Sequence, residues 1–332
     1  MAFMELLDGL LLAVFMGKPV WMWCVFMAIV LALLVFDLGV LHRKAHEIEV
    51  KESLMLSAGY ITAGVAYGGW VWWYLGATSG MQYLTGFVVE KTLAMDNVFI
   101  IAMIFSFFAI PRLHQHRVLF WGILGVIVLR ALMIGLGAPL VENFEWLLYV
   151  LALFLMVTGA RMLVMGDKEP DFSRNRLLLF LKRHFRITDT LHGEAFFVKK
   201  RHPATGKMVR YMTPLMLALL MIEVADVVFA VDSVPAIFLI TTDPFLVYTS
   251  NIFAILGLRA LYFALAAMVH RFAYLSYALS VLLIFIGSKI FVAWAMGWEK
   301  FPPMWSLGLT LLILMSGVGF SLWKTRPAAK AA

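Results

Sequence analysis

Long apolar runs separated by short polar ones dominate the chain. Nine runs, at about 20–41, 53–76, 84–109, 118–138, 144–165, 212–240, 246–269, 274–297 and 304–323, approach or exceed the roughly 20 residues that cross a ~30 Å hydrocarbon core as helix. Residues 3–16 are apolar but short, and an amphipathic helix on the outer surface is expected there. The pattern predicts an all-α fold, a polytopic transmembrane helical bundle of about nine spans.

The basic residues orient this bundle. One set of alternate loops holds Arg43, Lys44, Lys51, Arg112 and Arg117, eleven Lys and Arg in 166–211, then Arg271, Lys324, Arg326 and Lys330. The other set holds only Lys18 and Lys300. Lys and Arg collect in cytoplasmic loops, so the N-terminus is expected outside and the C-terminus in the cytosol of a bacterial cytoplasmic (inner) membrane. Adding or dropping one span would scramble the alternation. Composition agrees, with 63% hydrophobic and 14% charged residues, where a soluble domain carries about 25% charged. The net charge of +7 sits mainly in loops and makes no case for nucleic acid. Cys24 is the one cysteine, so there is no disulfide framework. Glu5 and Asp8 precede the first Lys, unlike the basic start of a cleaved signal peptide.

An internal repeat runs through the middle. Glu90, Asp96, Asn97 and Val98 in span three answer Asp226, Asp232, Ser233 and Val234 in span six. Leu129-Arg130-Ala131-Leu132 answers Leu258-Arg259-Ala260-Leu261, and Gly159-Ala160-Arg161 answers Gly287-Ser288-Lys289. Spans three to five thus repeat as spans six to eight. The unit has an odd number of helices, so its second copy enters from the opposite side. Such an inverted 3+3 repeat marks transporters, with the substrate near the midplane. The expected organisation is 1–83 (the amphipathic segment and two spans), 84–165 (first repeat), 166–211 (cytosolic basic loop), 212–298 (second repeat) and 299–332 (last span and tail). Within the loop, Phe172 to Ile187 reads as a helix lying on an anionic leaflet. Two β-prone runs around Pro203 to Gly206 predict a small hairpin. The loop as a whole reads as a solvated connector or, alternatively, as a docking surface.

Charge inside a span is costly and faces the bundle interior. Glu90, Asp96, Glu223, Asp226 and Asp232 lie deep in the two repeat-related helices, and Asp37 near the inner end of span one. Carboxylates with the neutral oxygens of Asn97 and Ser233 are the donor set a hard divalent cation takes. Spacing places Glu90 with Asn97, and Asp226 with Glu223 and Ser233, on common faces, while Asp96 and Asp232 fall roughly 120° away. A break at Pro235 is expected to turn Asp232 inward and bare the Val231 carbonyl. Lys91, Arg130, Arg161, Arg259 and Lys289 are the intramembrane bases. They either pair structurally with the acids or clamp them and fill the emptied site. Five bare carboxylates repel one another, and proton exchange coupled to cation binding is the corresponding expectation. No His lies in spans three or six and no CxxC or HExxH occurs, which disfavours zinc or copper. A thioether of Met95 or Met103 beside the acids would favour manganese over calcium or magnesium. In the loop, Asp189, His192 and Glu194 gather a metal or, more simply, form a polar turn. No nucleophile–base pair, phosphate loop or cofactor fingerprint points to an enzyme or a prosthetic group.

Several segments resemble the TerC family of integral membrane proteins. These are Glu90 to Phe99, Glu223 to Phe238, Thr249 to Phe263, Asp37 to His46, Ser276 to Lys289 and Asp189 to Phe197, together spanning about residues 20–325. The family is named for tellurite resistance, and members of its Alx branch are associated with manganese export. The resemblance implies Mn2+ as the transported ion and Glu90, Asp96, Glu223, Asp226 and Asp232 as its path. Arg130, Arg161, Arg259 and Lys289 would gate it or balance charge, with Asp37 nearby. A rival expectation is a membrane anchor of a tellurite or stress-resistance complex, docking cytosolic partners on the 166–211 loop. Deleting the hairpin would separate the two.

Overall fold

The computed structural model describes residues 9, 11–39, 50–165, 176–188, 190–201, 207–266 and 274–325. Helices run Val20–Gly39 (α1), Val50–Leu75 (α2), Ala77–Phe107 (α3), Arg112–Asn143 (α4), Trp146–Met165 (α5) and Arg176–His184 (α6). They continue as Pro214–Phe238 (α7), Pro244–Ile255 (α8), Leu258–Ala266 (α9), Leu275–Met296 (α10) and Pro303–Lys324 (α11). Prolines open several of them, at Pro214, Pro244 and Pro303, where a missing N–H costs nothing. Asp243 adds a side-chain cap, accepting from the Phe245 N–H at 3.0 Å. Gly297, in the left-handed conformation, closes α10.

Each of the nine expected spans coincides with a long helix or, for the seventh, with the pair α8 and α9. Five of these helices (α4, α5, α7, α10 and α11) are long and apolar enough to cross a membrane, and the pair, bent by 41°, makes a sixth. The apolar part of α1, Val20–Phe36, is shorter. Glycine and aromatic residues dilute the hydropathy of α2, and α3 carries Glu90, Lys91 and Asp96 within two turns. The protein is therefore an all-α membrane protein with an apolar exterior, on which Trp73, Leu136, Val164, Trp294, Leu312 and Met315 are exposed.

Two expectations about local structure fail. Residues 13–16 leave the helix predicted over 3–16: Val14–Phe15 (β1) pairs antiparallel with Lys18–Pro19 (β2). Met16 and Gly17, both at positive φ, form the turn. The second failure is at Pro235, where no break occurs and α7 runs through to Phe238. The broken span is α8–α9 instead. Leu256 at φ −53°, ψ 133° and Gly257 at φ 78° have type II turn geometry, which demands a residue free to take positive φ at its second position.

In the bundle α3 packs on α8 and α4 on α7, with α3 also against α7. The closest pair is α5 with α10. A Cβ at Gly159 of α5 would meet the Ser280 carbonyl of α10 at 2.6 Å. A Cβ at Gly287 of α10 would meet the Ala152 carbonyl of α5 at 2.5 Å. Gly159, Ser280 and Ile284 answer Gly287, Ala152 and Met156 at one constant sequence offset, so each helix supplies a notch for the other's backbone.

The described parts of the 166–211 segment, 176–188, 190–201 and 207–211, fold as a cap against the bundle. Leu178 and Leu181 of α6 are buried in the same cluster as Val118 and Leu215. Phe197–Arg201 (β3) pairs antiparallel with Met208–Met212 (β4), as the β-prone runs predicted, and Ile187 bridges to Met212. Thr213 Oγ1 donates to the Ala195 carbonyl at 2.7 Å, and Arg117 pairs with Glu194 at 3.0 Å. The turn 203–206, Asp189 and the side chains of Asp37 and Asp96 lie outside the described residues.

Overpacking a close helix crossing costs about 1–3 kcal/mol. Gly159→Ala and Gly287→Ala should therefore each lower the thermal midpoint of the detergent-purified protein. Gly69→Ala, where nothing lies within 4 Å, should not.

Candidate metal centre

The centre of the bundle is organised around one guanidinium. Arg130 of α4 is 1% exposed. Its Nη1 donates to Glu90 Oε1 of α3 in a very close ion pair, to Ser233 Oγ of α7 at 3.0 Å and to Asn251 Oδ1 of α8 at 3.3 Å. The other edge forks onto Asp226 of α7, with Nη2 to Oδ1 at 3.1 Å and Nε to Oδ2 at 3.4 Å. Asn97 Nδ2 of α3 also donates to Asp226 Oδ1, at 3.5 Å. Four helices thus contribute to one charged cluster. Both pairs spaced by seven residues, Glu90 with Asn97 and Asp226 with Ser233, face it as their helical phase requires.

Beside the cluster lies a cavity walled by Ile101, Leu119, Ile123, Ile222 and Leu258, and the cluster reaches its lining through Asn97 and Asp226. Its lining residues come from the later half of α3, the first half of α4, the middle of α7 and the start of α9, so the cavity lies off the cap-side half of α4. Two oxygens of the expected site are buried without a partner, Asn97 Oδ1 and Glu223 Oε2. Glu223 points at α4, where a Cβ on Gly125 would overlap its carboxylate. Gly125 is the gap that admits this side chain.

Other expected site residues stand apart. Asp232 is half-buried and makes no ion pair or hydrogen bond among the described residues, because the unbroken α7 keeps it off the Asp226 face. Arg161 is exposed near the end of α5. Lys289 is buried and donates to Ser306 Oγ at 2.9 Å, while Arg259 is buried on α9. Met95 is partly buried and packs against the apolar core. In the cap, Glu194 pairs with Arg117 and His192 Nδ1 lies against the Thr190 carbonyl at 2.8 Å, so they do not gather as ligands. Among the described residues no three His, Cys, Asp or Glu side chains form a metal-holding group. Among the described residues, Arg130 serves two of the acids and Lys289 serves a hydroxyl, while Glu223 and Asp232 have no ion pair. Asn251, fully buried in the cluster, was not among the expected site residues, although an amide in an apolar span is the signal that marks it.

This arrangement of α3, α4, α7 and α8 lies within residues 75–329, which match the family described as "Integral membrane protein TerC family". The chain belongs to the TerC family. It is 43% identical over 312 residues to the "Uncharacterized membrane protein STKORF319" of Myxococcus xanthus, covering 94% of this chain and 95% of that one. A Rickettsia bellii "Uncharacterized membrane protein" is 44% identical over 296 residues, 89% of this chain and 95% of the relative. The protein called "Putative membrane-bound redox modulator Alx" in Escherichia coli K12 is 42% identical over 316 residues, 92% and 95% of the two chains. No solved structure matches the chain.

A buried charge left without its partner costs about 3–5 kcal/mol. Arg130→Met strands Glu90 and Asp226 together and should lower stability by that order, read as the thermal midpoint in detergent. Adding Glu90→Gln to Arg130→Met should recover part of the loss, and this coupling within a double-mutant cycle is what identifies the pair.

Proposed function

We propose that this TerC protein exports a divalent cation, most specifically Mn2+, across the bacterial cytoplasmic membrane. The observation that carries this reading is the Arg130 guanidinium lodged between Glu90 and Asp226, with Asp226 and the unpartnered Asn97 oxygen reaching the lining of the adjoining cavity. Two carboxylates, an amide oxygen and the Ser233 hydroxyl make an oxygen set suited to a hard cation. A guanidinium held at this point is a tethered stand-in for the ion. The cation enters the cavity, competes with Arg130 for the two carboxylates and draws Asn97 Oδ1 and the Glu223 carboxylate into its shell. When it leaves, Arg130 returns and the bare acids are never left facing each other.

Alternating access follows from an inverted repeat, in which α3, α4 and α5 correspond to α7, α8–α9 and α10. The reciprocal packing of α3 on α8 and α4 on α7 supports that correspondence, as do the matching notches of Gly159 and Gly287. On this reading all nine helical units cross the membrane. The bias of Lys and Arg supports a reading in which the cap and the C-terminus are in the cytosol and the N-terminus is outside. Manganese as cargo comes from the resemblance to the Alx branch. The anchor reading loses its clean test, because Met212, Thr213 and Leu181 tie the loop into the bundle core and a hairpin deletion would disturb both functions.

Inside-out membrane vesicles from a host lacking its own exporters provide the test. Wild type should accumulate Mn2+, while Glu90→Gln and Asp226→Asn should each slow uptake by at least about tenfold, the equivalent of 1.4 kcal/mol. Asp232→Asn, off the cluster, should slow it less. Uptake that survives both of the first two substitutions would sink the carboxylate path.

A further inference from the structure

The α8–α9 break leaves a helix end open inside the bundle, and one side chain fills it. Lys91 of α3 is 5% exposed, and its Nζ donates to the carbonyl oxygens of Ala254 at 2.9 Å and Leu256 at 3.2 Å. Among the described residues no carboxylate pairs with it. Its neighbour Glu90 points instead to Arg130. A helix C-terminus carries the negative end of the macrodipole, and backbone carbonyls turned toward one point replace the hydration shell of a monovalent cation. The other side of the break is sealed by Tyr60 of α2, whose ring lies 2.6 Å from where a Cβ on Gly257 would sit. The junction separates Asn251 of the Arg130 cluster from Leu258 of the cavity wall, so its geometry sets how those two groups face each other.

We propose that this junction is a monovalent-cation seat and that Lys91 occupies it permanently as a tethered ion. The ammonium satisfies two carbonyls that the bend removes from the helical ladder, and it pins α3 to both halves of the broken span. The protein consequently needs no dissolved Na+ or K+ to keep the break closed. Removing the side chain leaves an enclosed, carbonyl-lined void of cation-binding chemistry. Water is the other occupant of such a void, and it gives no preference among salts.

The thermal midpoint of the full-length protein in detergent is the readout, so the outcome does not depend on what the protein transports. N-methylglucamine chloride would be replaced at constant ionic strength by KCl, NaCl or methylammonium chloride. Wild type should be indifferent to the exchange. Lys91→Ala should melt lower than wild type in N-methylglucamine and regain about 3 °C or more in at least one of the small-cation salts. Lys91→Met fills the seat with an uncharged chain of similar length, and should melt lower with no response to any salt. Two results overturn the proposal: Lys91→Ala responding to the salts no more than wild type, or Lys91→Met as stable as wild type. The second result decides the matter even where the alanine variant cannot be purified.

Discussion

A buried guanidinium shared between two carboxylates is the interaction on which the rest of this protein depends. Taking those charges out of water is expensive, and the cost is recovered only where every donor of the arginine meets an acceptor. Arg130 meets Glu90 from α3, Asp226 and Ser233 from α7, and Asn251 from α8. These elements lie far apart in sequence, so the cluster fixes their mutual rotation and depth. On the proposed reading, a cation that takes the place of the guanidinium between Glu90 and Asp226 would free Arg130 from four helices at once.

The surrounding packing lets that release become motion. Helices α5 and α10 meet backbone to backbone through Gly159 and Gly287, a smooth crossing built from the same notch twice. The seventh span is already broken at Leu256 and Gly257 and is held there by Lys91. Adjacent residues of α3 therefore reach two different devices, Glu90 the charge cluster and Lys91 the hinge of the broken span. On the proposed reading, the charge cluster and the bend of the broken span are thereby set side by side, as a carrier site would require.

Much of this was legible in the sequence. Apolar run lengths located every long helix, because backbone groups in lipid have no alternative to the helical ladder. Spacings of seven put Glu90 with Asn97 and Asp226 with Ser233 on faces that do converge, and the repeat singled out Arg130. The break was misplaced because proline is the louder signal. Pro235 is absorbed inside α7, whereas the real bend depends on one glycine, and a glycine in an apolar run reads equally well as a helix contact. Asp232 was grouped with the site as an intramembrane acid of the repeat, and the expected break was what would have turned it inward. Asn251 and Gly125 were passed over for another reason. Their roles exist only across helix interfaces, where Asn251 completes the shell of an arginine and Gly125 makes room for Glu223. The cap was read as a solvated connector because its basic residues dominate its composition, while the few apolar residues that dock it, Leu178, Leu181 and Met212, are spaced too irregularly to announce a buried face.

The most direct test of the account is whether Arg130 and the transported ion compete for the same carboxylates. Binding of Mn2+ to the purified protein, followed by loss of the free ion's paramagnetic resonance signal, should be compared between wild type and Arg130→Met. Competition predicts that removing the arginine tightens binding, by about tenfold or more, since 1.4 kcal/mol of displaced ion pairing suffices for that factor. Equal or weaker binding by Arg130→Met would contradict it, and would make the buried arginine a structural clamp on acids that never meet a metal.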